Sequence, residues 1–150
     1  MKQKPTRREI SFSVPWTPRP KQGDRSRIVT TKTGRQFVQH YTATEVREDA
    51  NSLASLAKEY VPKFPFQGPL TVGITATFPW LRSHPKKVVE SGRSLPKDTK
   101  PDVDNIAKKV LDVLQSMGFF AGDQQIAHLR VTKEYGPAPR LRFYICEMFG

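Results

Sequence analysis

Between Leu70 and Lys133 the apolar residues change period twice, and those changes constrain the fold more than any other feature of this 150-residue chain. Leu70, Val72, Ile74, Ala76 and Phe78 take alternate positions, with threonine or glycine between them, up to Pro79. That is the pattern of a strand with a buried face that ends at a proline. Val103, Ile106, Ala107, Val110, Leu114 and Met117 then recur at helical spacing, and Gly118 is placed to terminate the helix. Ile126 to Lys133 and Leu141 to Met148 return to strand character, with a Tyr-Gly-Pro-Ala-Pro turn between them.

The first half adds fewer constraints. Residues 1 to 8 are polar and basic and are expected to be disordered; Ile10, Phe12 and Val14 then alternate into a strand closed by Pro15. Ile28 to Thr31 and Gln36 to His40 flank Lys-Thr-Gly-Arg, a hairpin turn between short strands. Thr42 and Glu45 form a capping-box pattern opening a helix, along which Val46, Ala50, Leu53, Ala54, Ala57 and Val61 share a face until Pro62 and Pro65 stop it. Residues 82 to 101 read as loop. At this length one domain buries roughly 70% of its unfolded surface and needs no staples. The expected fold is α+β: a single domain over residues 1 to 150, a mixed β-sheet with two main helices packed on it, in the order strand, hairpin, helix, strand, helix, strand, strand.

Charge narrows the function. Lys and Arg number 25 against 14 Asp and Glu, a net +11, and the excess is uneven. Residues 1 to 40 hold ten basic and two acidic side chains, residues 82 to 100 six and two, and the remainder is close to neutral. Two basic segments on a near-neutral body are the footprint of a nucleic-acid-binding protein. The Pro-rich stretch from Trp16 to Lys32, with Arg19, Lys21, Arg25 and Arg27, reads as a mobile loop that reaches for DNA, and Lys97, Lys100 and Lys133 are further candidate DNA contacts. A solvated loop without contacts is the competing reading of a charge run. Cys146 is the only cysteine, so no intramolecular disulfide or Cys-rich zinc module is possible, and it reads as a small buried hydrophobe. His40, His84 and His128 lack ligand spacing. No apolar run suits a secretion signal or the ~20 residues of a bilayer span, which makes the cytoplasm the expected setting, with no membrane partner and no organic cofactor.

Against that basic background three aspartates and a lysine stand out: Asp102, Asp104, Lys108 and Asp123. Clustered carboxylates on a polyanion-binding surface are unfavourable unless a cation lies between them and the phosphate. Pro101 biases Lys100 toward extended backbone, so the helix should begin near Val103 or Asp104 with Asp102 in extended chain. An Asp-x-Asp straddling a helix start can converge, and the positive end of the helix lowers the cost of placing it there. Lys108 lies one turn along from Asp104, in the favourable orientation for a pair. Asp123 must come back along the helix to meet them. Three carboxylates form a hard-oxygen set suited to Mg²⁺ or Mn²⁺ and poor for zinc. Singly, each residue has a plainer reading: Asp102 or Asp104 as an N-cap, Lys108 as a surface ion-pair partner, Asp123 as a turn residue.

The run Pro-Asp-Val-Asp-Asn-Ile-Ala-Lys, followed by Leu-Asp-Val-Leu, the turn Gly-Phe-Phe-Ala-Gly-Asp-Gln-Gln-Ile and a lysine in the next strand, resembles the RusA family of Holliday junction resolvases. The early Pro15-Trp16-Thr17-Pro18 is similar too, less closely. The resemblance implies that Asp102, Asp104 and Asp123 bind metal, that Lys108 is catalytic, and that the protein is a homodimer from a phage or prophage setting. The family often has two adjacent aspartates in the turn, whereas Gly122 precedes Asp123 here. Together these readings predict a Mg²⁺-dependent endodeoxyribonuclease that resolves four-way branched DNA by paired nicks. A nuclease for flaps and other branches, and a non-catalytic DNA-binding protein, are the alternatives.

Overall fold

The computed structural model describes residues 7–18, 25–41 and 44–149. Its five-stranded sheet is organised around β4 (Leu70–Phe78), the most regular alternation in the sequence. β7 (Arg140–Glu147) pairs antiparallel on one side of β4 and β6 (Ile126–Tyr135) parallel on the other. β1 (Glu9–Val14) adds to β7, and β5 (Leu95–Pro96) touches the end of β6, giving the order β1-β7-β4-β6-β5. β2 (Arg25–Thr30) and β3 (Gln36–Tyr41) form a separate two-stranded hairpin, where Gly34 takes the positive φ that its turn needs. The expected α+β architecture with a mixed sheet is therefore present. Among the described residues no helix is long and apolar enough to cross a membrane.

Alternation decides which face is covered. Leu70, Val72, Ile74 and Ala76 of β4, Leu141, Phe143 and Ile145 of β7, and Phe12 and Val14 of β1 are all buried. α1 (Thr44–Ala57) and α3 (Val103–Met117) pack against each other and against that face. α3 contributes Ile106, Val110 and Leu114, the stripe read from the sequence, plus Leu111 and Val113. Phe12 stacks on Tyr60, Phe143 and Phe119 at centroid distances of 4.4, 5.3 and 5.7 Å, and Phe119 and Phe120 are fully buried. Each such side chain contributes roughly 1.5–3 kcal/mol through burial. Cys146 is buried, as its composition suggested.

Three expectations change. Residues 82 to 101 hold α2 (Lys86–Glu90) and β5, both too short to leave a periodic signal. Residues 25 to 27 belong to a strand rather than to the basic loop, whose residues 19–24 lie outside the described ones, as does the Thr42 cap. Arg8 is held rather than frayed: its guanidinium donates to the carbonyls of Phe64 (2.6 Å) and Pro65 (3.2 Å), pairs with Glu147 at 3.6 Å and stacks over Phe66.

Candidate active site

The first two aspartates sit where α3 begins. Asp102 has extended backbone (φ −71°, ψ 149°), and its carbonyl accepts the first helical bond, from the Ile106 N–H at 3.0 Å. Its side chain makes no capping hydrogen bond, so the plainer reading of Asp102 as a cap does not describe it. Asp104 is exposed in the first turn. Neither carboxylate has a hydrogen-bond or ion-pair partner among the described residues, and both lie at the positive end of the helix.

A scaffold of cations and hydroxyls fixes the approach to Asp102. The Lys133 ammonium donates to the carbonyls of Thr99 (2.6 Å) and Pro101 (3.0 Å), tying the end of β6 to the segment before α3. The Lys97 ammonium donates to the hydroxyls of Thr99 (2.6 Å) and Tyr135 (3.1 Å) and lies 4.6 Å from the Tyr135 ring centroid and 5.0 Å from that of Phe78. The Thr99 hydroxyl, with Lys97 second, holds the Tyr135 hydroxyl below its ordinary pKa. The ammonium groups of Lys97 and Lys133, expected from sequence to contact DNA, are thus engaged within the protein. Lys100 is exposed two residues before Asp102. Arg19 and Lys21 lie outside the described residues, and Arg25 and Arg27 are described only as backbone of β2.

Lys108 also differs from expectation. It pairs with Asp112 at 3.9 Å, one turn further on, and not with Asp104. Both side chains are about two-thirds exposed (66% and 60%), so the pair contributes only ~0.3–0.5 kcal/mol and is easily exchanged.

Asp123 occupies the other end of the helix. It opens a 3₁₀ turn (Asp123–Gln125), and its N–H donates to the Gln115 side-chain oxygen at 3.2 Å. Gln115 is thirteen positions after Asp102, about 20 Å along the axis at 1.5 Å per residue. Gln125 holds the turn: its side-chain oxygen accepts from Ala121 (2.9 Å) and Gly122 (3.2 Å), and its amide donates to the carbonyls of Phe66 (3.2 Å) and Gly68 (3.1 Å). Gly122 has extended backbone (φ −159°), which any residue can adopt, and the nearest atoms a Cβ there would meet belong to the flexible tip of Gln124.

The expected return of Asp123 along the helix therefore does not occur within one chain. Among the described residues, no three His, Cys, Asp or Glu side chains are gathered so as to hold a metal ion. Asp102 and Asp104 fit a hard dication in chemistry, since both carboxylates are exposed and uncommitted, while Asp123, the third ligand expected from sequence, stands at the other end of α3.

Sequence reasoning missed the interior support of α3. Lys109 pairs with Asp49 of α1 at 3.1 Å, with both side chains at or below 10% exposure, and the Trp16 indole donates to the Asp49 carbonyl at 3.2 Å. Sixty residues separate the pair, so no local pattern could have joined them. A cleft of about 510 Å³ lined by Trp16, Asp49, Ser52, Lys100 and Pro101 opens beside this support.

Comparison with known proteins follows the same residues. A family model described as endodeoxyribonuclease RusA matches residues 15–145, from the Pro-Trp motif to the last strand. The chain is also 32% identical over 101 residues to the uncharacterized protein YqaN of Bacillus subtilis (strain 168), covering 64% of this chain and 70% of that relative. With 131 residues matched in one family model, this chain belongs to the RusA endodeoxyribonuclease family.

Proposed function

We propose that the protein is a Mg²⁺-dependent endonuclease that resolves four-way DNA junctions as a homodimer. The observation that carries this reading is the pair of uncommitted carboxylates, Asp102 and Asp104, at the start of α3 in a chain of an endodeoxyribonuclease family. A carboxylate that neither caps the helix nor pairs with a cation, on a protein of net charge +11, is available to a metal ion.

Asp123 enters from a second copy. The two ends of α3 lie about 20 Å apart, so a two-fold axis that sets two α3 helices antiparallel brings the Asp123 of each chain to the Asp102 and Asp104 of the other. The resulting dimer has two equivalent sites, one for each of the opposed strands of a junction. Asp102, Asp104 and the second copy's Asp123 would hold Mg²⁺ or Mn²⁺ through carboxylate oxygens. A cation bound there makes a water more acidic and offsets charge on the phosphorus oxygens. Lys108, released from Asp112 at small cost, presents its charge to the same phosphate, stabilising the transition state or protonating the departing 3′ oxygen. Lys133 and Lys97 keep the Thr99–Pro101 segment in place, which fixes the direction from which Asp102 approaches.

The test is cleavage of a synthetic mobile four-way junction in Mg²⁺, with three-way and flap substrates at equal salt. Paired symmetric nicks in the junction, abolished by Asp104→Asn, are the expected result. Failure of the wild type to cut any branched substrate, or cleavage by Asp104→Asn at the wild-type rate, would overturn the proposal. A preference for flaps would leave a nuclease of broader specificity.

A further inference from the structure

The cleft of about 510 Å³ beside the acid pair has the composition of a ligand pocket. Its deep end is formed by Trp16, Asp49 and Pro101, all buried, and its mouth by Pro15, Ser52 and Lys100, all exposed. The deep end is fixed from two sides: the Trp16 indole donates to the Asp49 carbonyl at 3.2 Å, and the Asp49 carboxylate pairs with the Lys109 ammonium at 3.1 Å. Flat rings line the walls, from Phe78 and from prolines 15, 18, 79 and 101. Between them lie Thr17 and Ser52, whose hydroxyls bond no described residue, and Lys100, whose ammonium has no described partner. Flat apolar walls with a few unspent polar groups suit a planar ligand with a hydrogen-bonding edge. A depression of about 580 Å³ is lined, among the described residues, by Ser55, Leu56, Lys58 and Glu59, one stretch of chain without a facing wall. It offers nothing to hold a planar ligand between.

We infer that this cleft receives a nucleobase unstacked from the DNA strand that is cut. The inference rests on the reading that Asp102 and Asp104 hold a metal ion at the scissile phosphate, and it adds a site for the neighbouring nucleotide. Pro101, at the deep end, is the residue before Asp102, so a single Cα step of about 3.8 Å separates the cleft wall from the acid. A phosphate held at that acid brings its own nucleoside to the cleft. A base within a continuous duplex cannot enter; it must rotate out about its backbone, and the rotation costs least where stacking is already interrupted, as at a branch point. Inside, Phe78 and the prolines give the base faces to pack on. The Thr17 and Ser52 hydroxyls, each donor and acceptor, meet its edge. Lys100 stands at the mouth, where the strand's phosphates pass. The cleft thus makes cutting depend on a base that leaves the stack, which favours branched DNA over continuous duplex.

Ser52 is the position from which the cleft can be closed. It is exposed on α1 and its side chain bonds no described residue, so Ser52→Trp narrows the mouth without breaking a described hydrogen bond.

Removing the base and closing the cleft form a two-way test. At saturating protein, an abasic substitution at one of the two nucleotides flanking the mapped cut should lower single-turnover junction cleavage at least tenfold. Ser52→Trp should slow the intact junction to a similar degree and the abasic junction hardly at all, because the base it excludes is already gone. Wild type that cuts intact and abasic junctions at the same rate, whichever flanking nucleotide is changed, would overturn the inference, as would equal slowing of both junctions by a variant with the wild-type thermal midpoint. A photo-cross-link reads the cleft without cleavage. With Ca²⁺ in place of Mg²⁺ and 5-iodouracil placed in turn at each nucleotide around the crossover, irradiation should link one position to the peptide carrying Trp16 or Phe78, and that link should be lost in Ser52→Trp. A wild type that links there yet cuts no branched DNA retains the cleft as a base site and discards the nuclease reading. One that cuts junctions with neither the link nor the abasic effect retains the nuclease and discards the cleft.

Discussion

The two ends of α3 present the same chemical group in different settings. At the N-terminal end Asp102 and Asp104 meet the positive pole of the helix, and Lys133 and Lys97 brace the segment before it. At the C-terminal end Asp123 lies by the negative pole, its N–H bonded to the neutral side chain of Gln115, while Gln125 holds the preceding turn through the Ala121 and Gly122 N–H groups. A helix stabilises a carboxylate at its start by roughly 0.3–1 kcal/mol and disfavours one at its end. The first end thus has the positive surroundings that carboxylates need, while the second offers a lone acid with no local reason for its charge. In the proposed dimer each end is half of a site, and the first half supplies the electrostatic framework.

The largest effect expected from breaking this comparison is on the acids themselves. Asp102→Asn, Asp104→Asn and Asp123→Asn should each lower single-turnover junction cleavage at least 10³-fold while leaving the thermal midpoint within a few degrees, because none of these carboxylates bonds a described residue. A single acid whose removal costs less than tenfold would remove it from the site. Next comes the brace. Lys133→Met leaves the Thr99 and Pro101 carbonyls without their donor, which should destabilise the fold by about 1–3 kcal/mol in urea unfolding and raise the Mg²⁺ concentration for half-maximal cleavage. Lys133→Arg should recover much of both, whereas a purely structural role would recover stability alone.

At the other end, Gln125→Ala removes four hydrogen bonds from the turn that presents Asp123. A loss of about 1–2 kcal/mol is expected, with a smaller rise in the Mg²⁺ requirement than for Lys133→Met. The smallest effect is on pH. The folded-state pKa of Tyr135 lies below its ordinary value of 10.0, so above the folded value the unfolded chain binds the extra proton. The contribution of Tyr135 therefore grows as pH rises toward 10 and disappears as pH falls through the folded pKa. The stability difference between wild type and Tyr135→Phe, followed by denaturant titration across the alkaline range, should increase with pH. A difference independent of pH would contradict it.

What the sequence made legible was local. Pro101 and Gly118 bracket α3, and the structure begins that helix at Val103, after an extended Asp102, and ends it with Gly118 in the left-handed conformation. The strand alternations of β1, β4 and β7 likewise mark the buried face. Partners distant in sequence were not legible. Asp49 and Lys109 meet only because α1 and α3 pack, and Lys97 and Lys133 look like surface cations until the fold places carbonyls and hydroxyls against them. Lys108 had two acids at helical spacing, and sequence could not choose Asp112 over Asp104. The position of Asp123 was readable in principle. Five residues, 118 to 122, reach at most about 17 Å, and Phe119 and Phe120 are spent in the core, so the chain cannot climb back along a helix of about 22 Å.

The claim that the two ends of α3 form one site across two chains is tested most directly by mixing inactive variants. Asp104→Asn and Asp123→Asn chains, each inactive alone, are unfolded together, refolded and assayed on a four-way junction in Mg²⁺. Half of the dimers should then be mixed, each with one intact site, giving about a quarter of the wild-type number of sites and unpaired nicks rather than resolved duplexes. A mixture that stays inactive, under conditions where wild type refolds to full activity and forms dimers, would contradict the account.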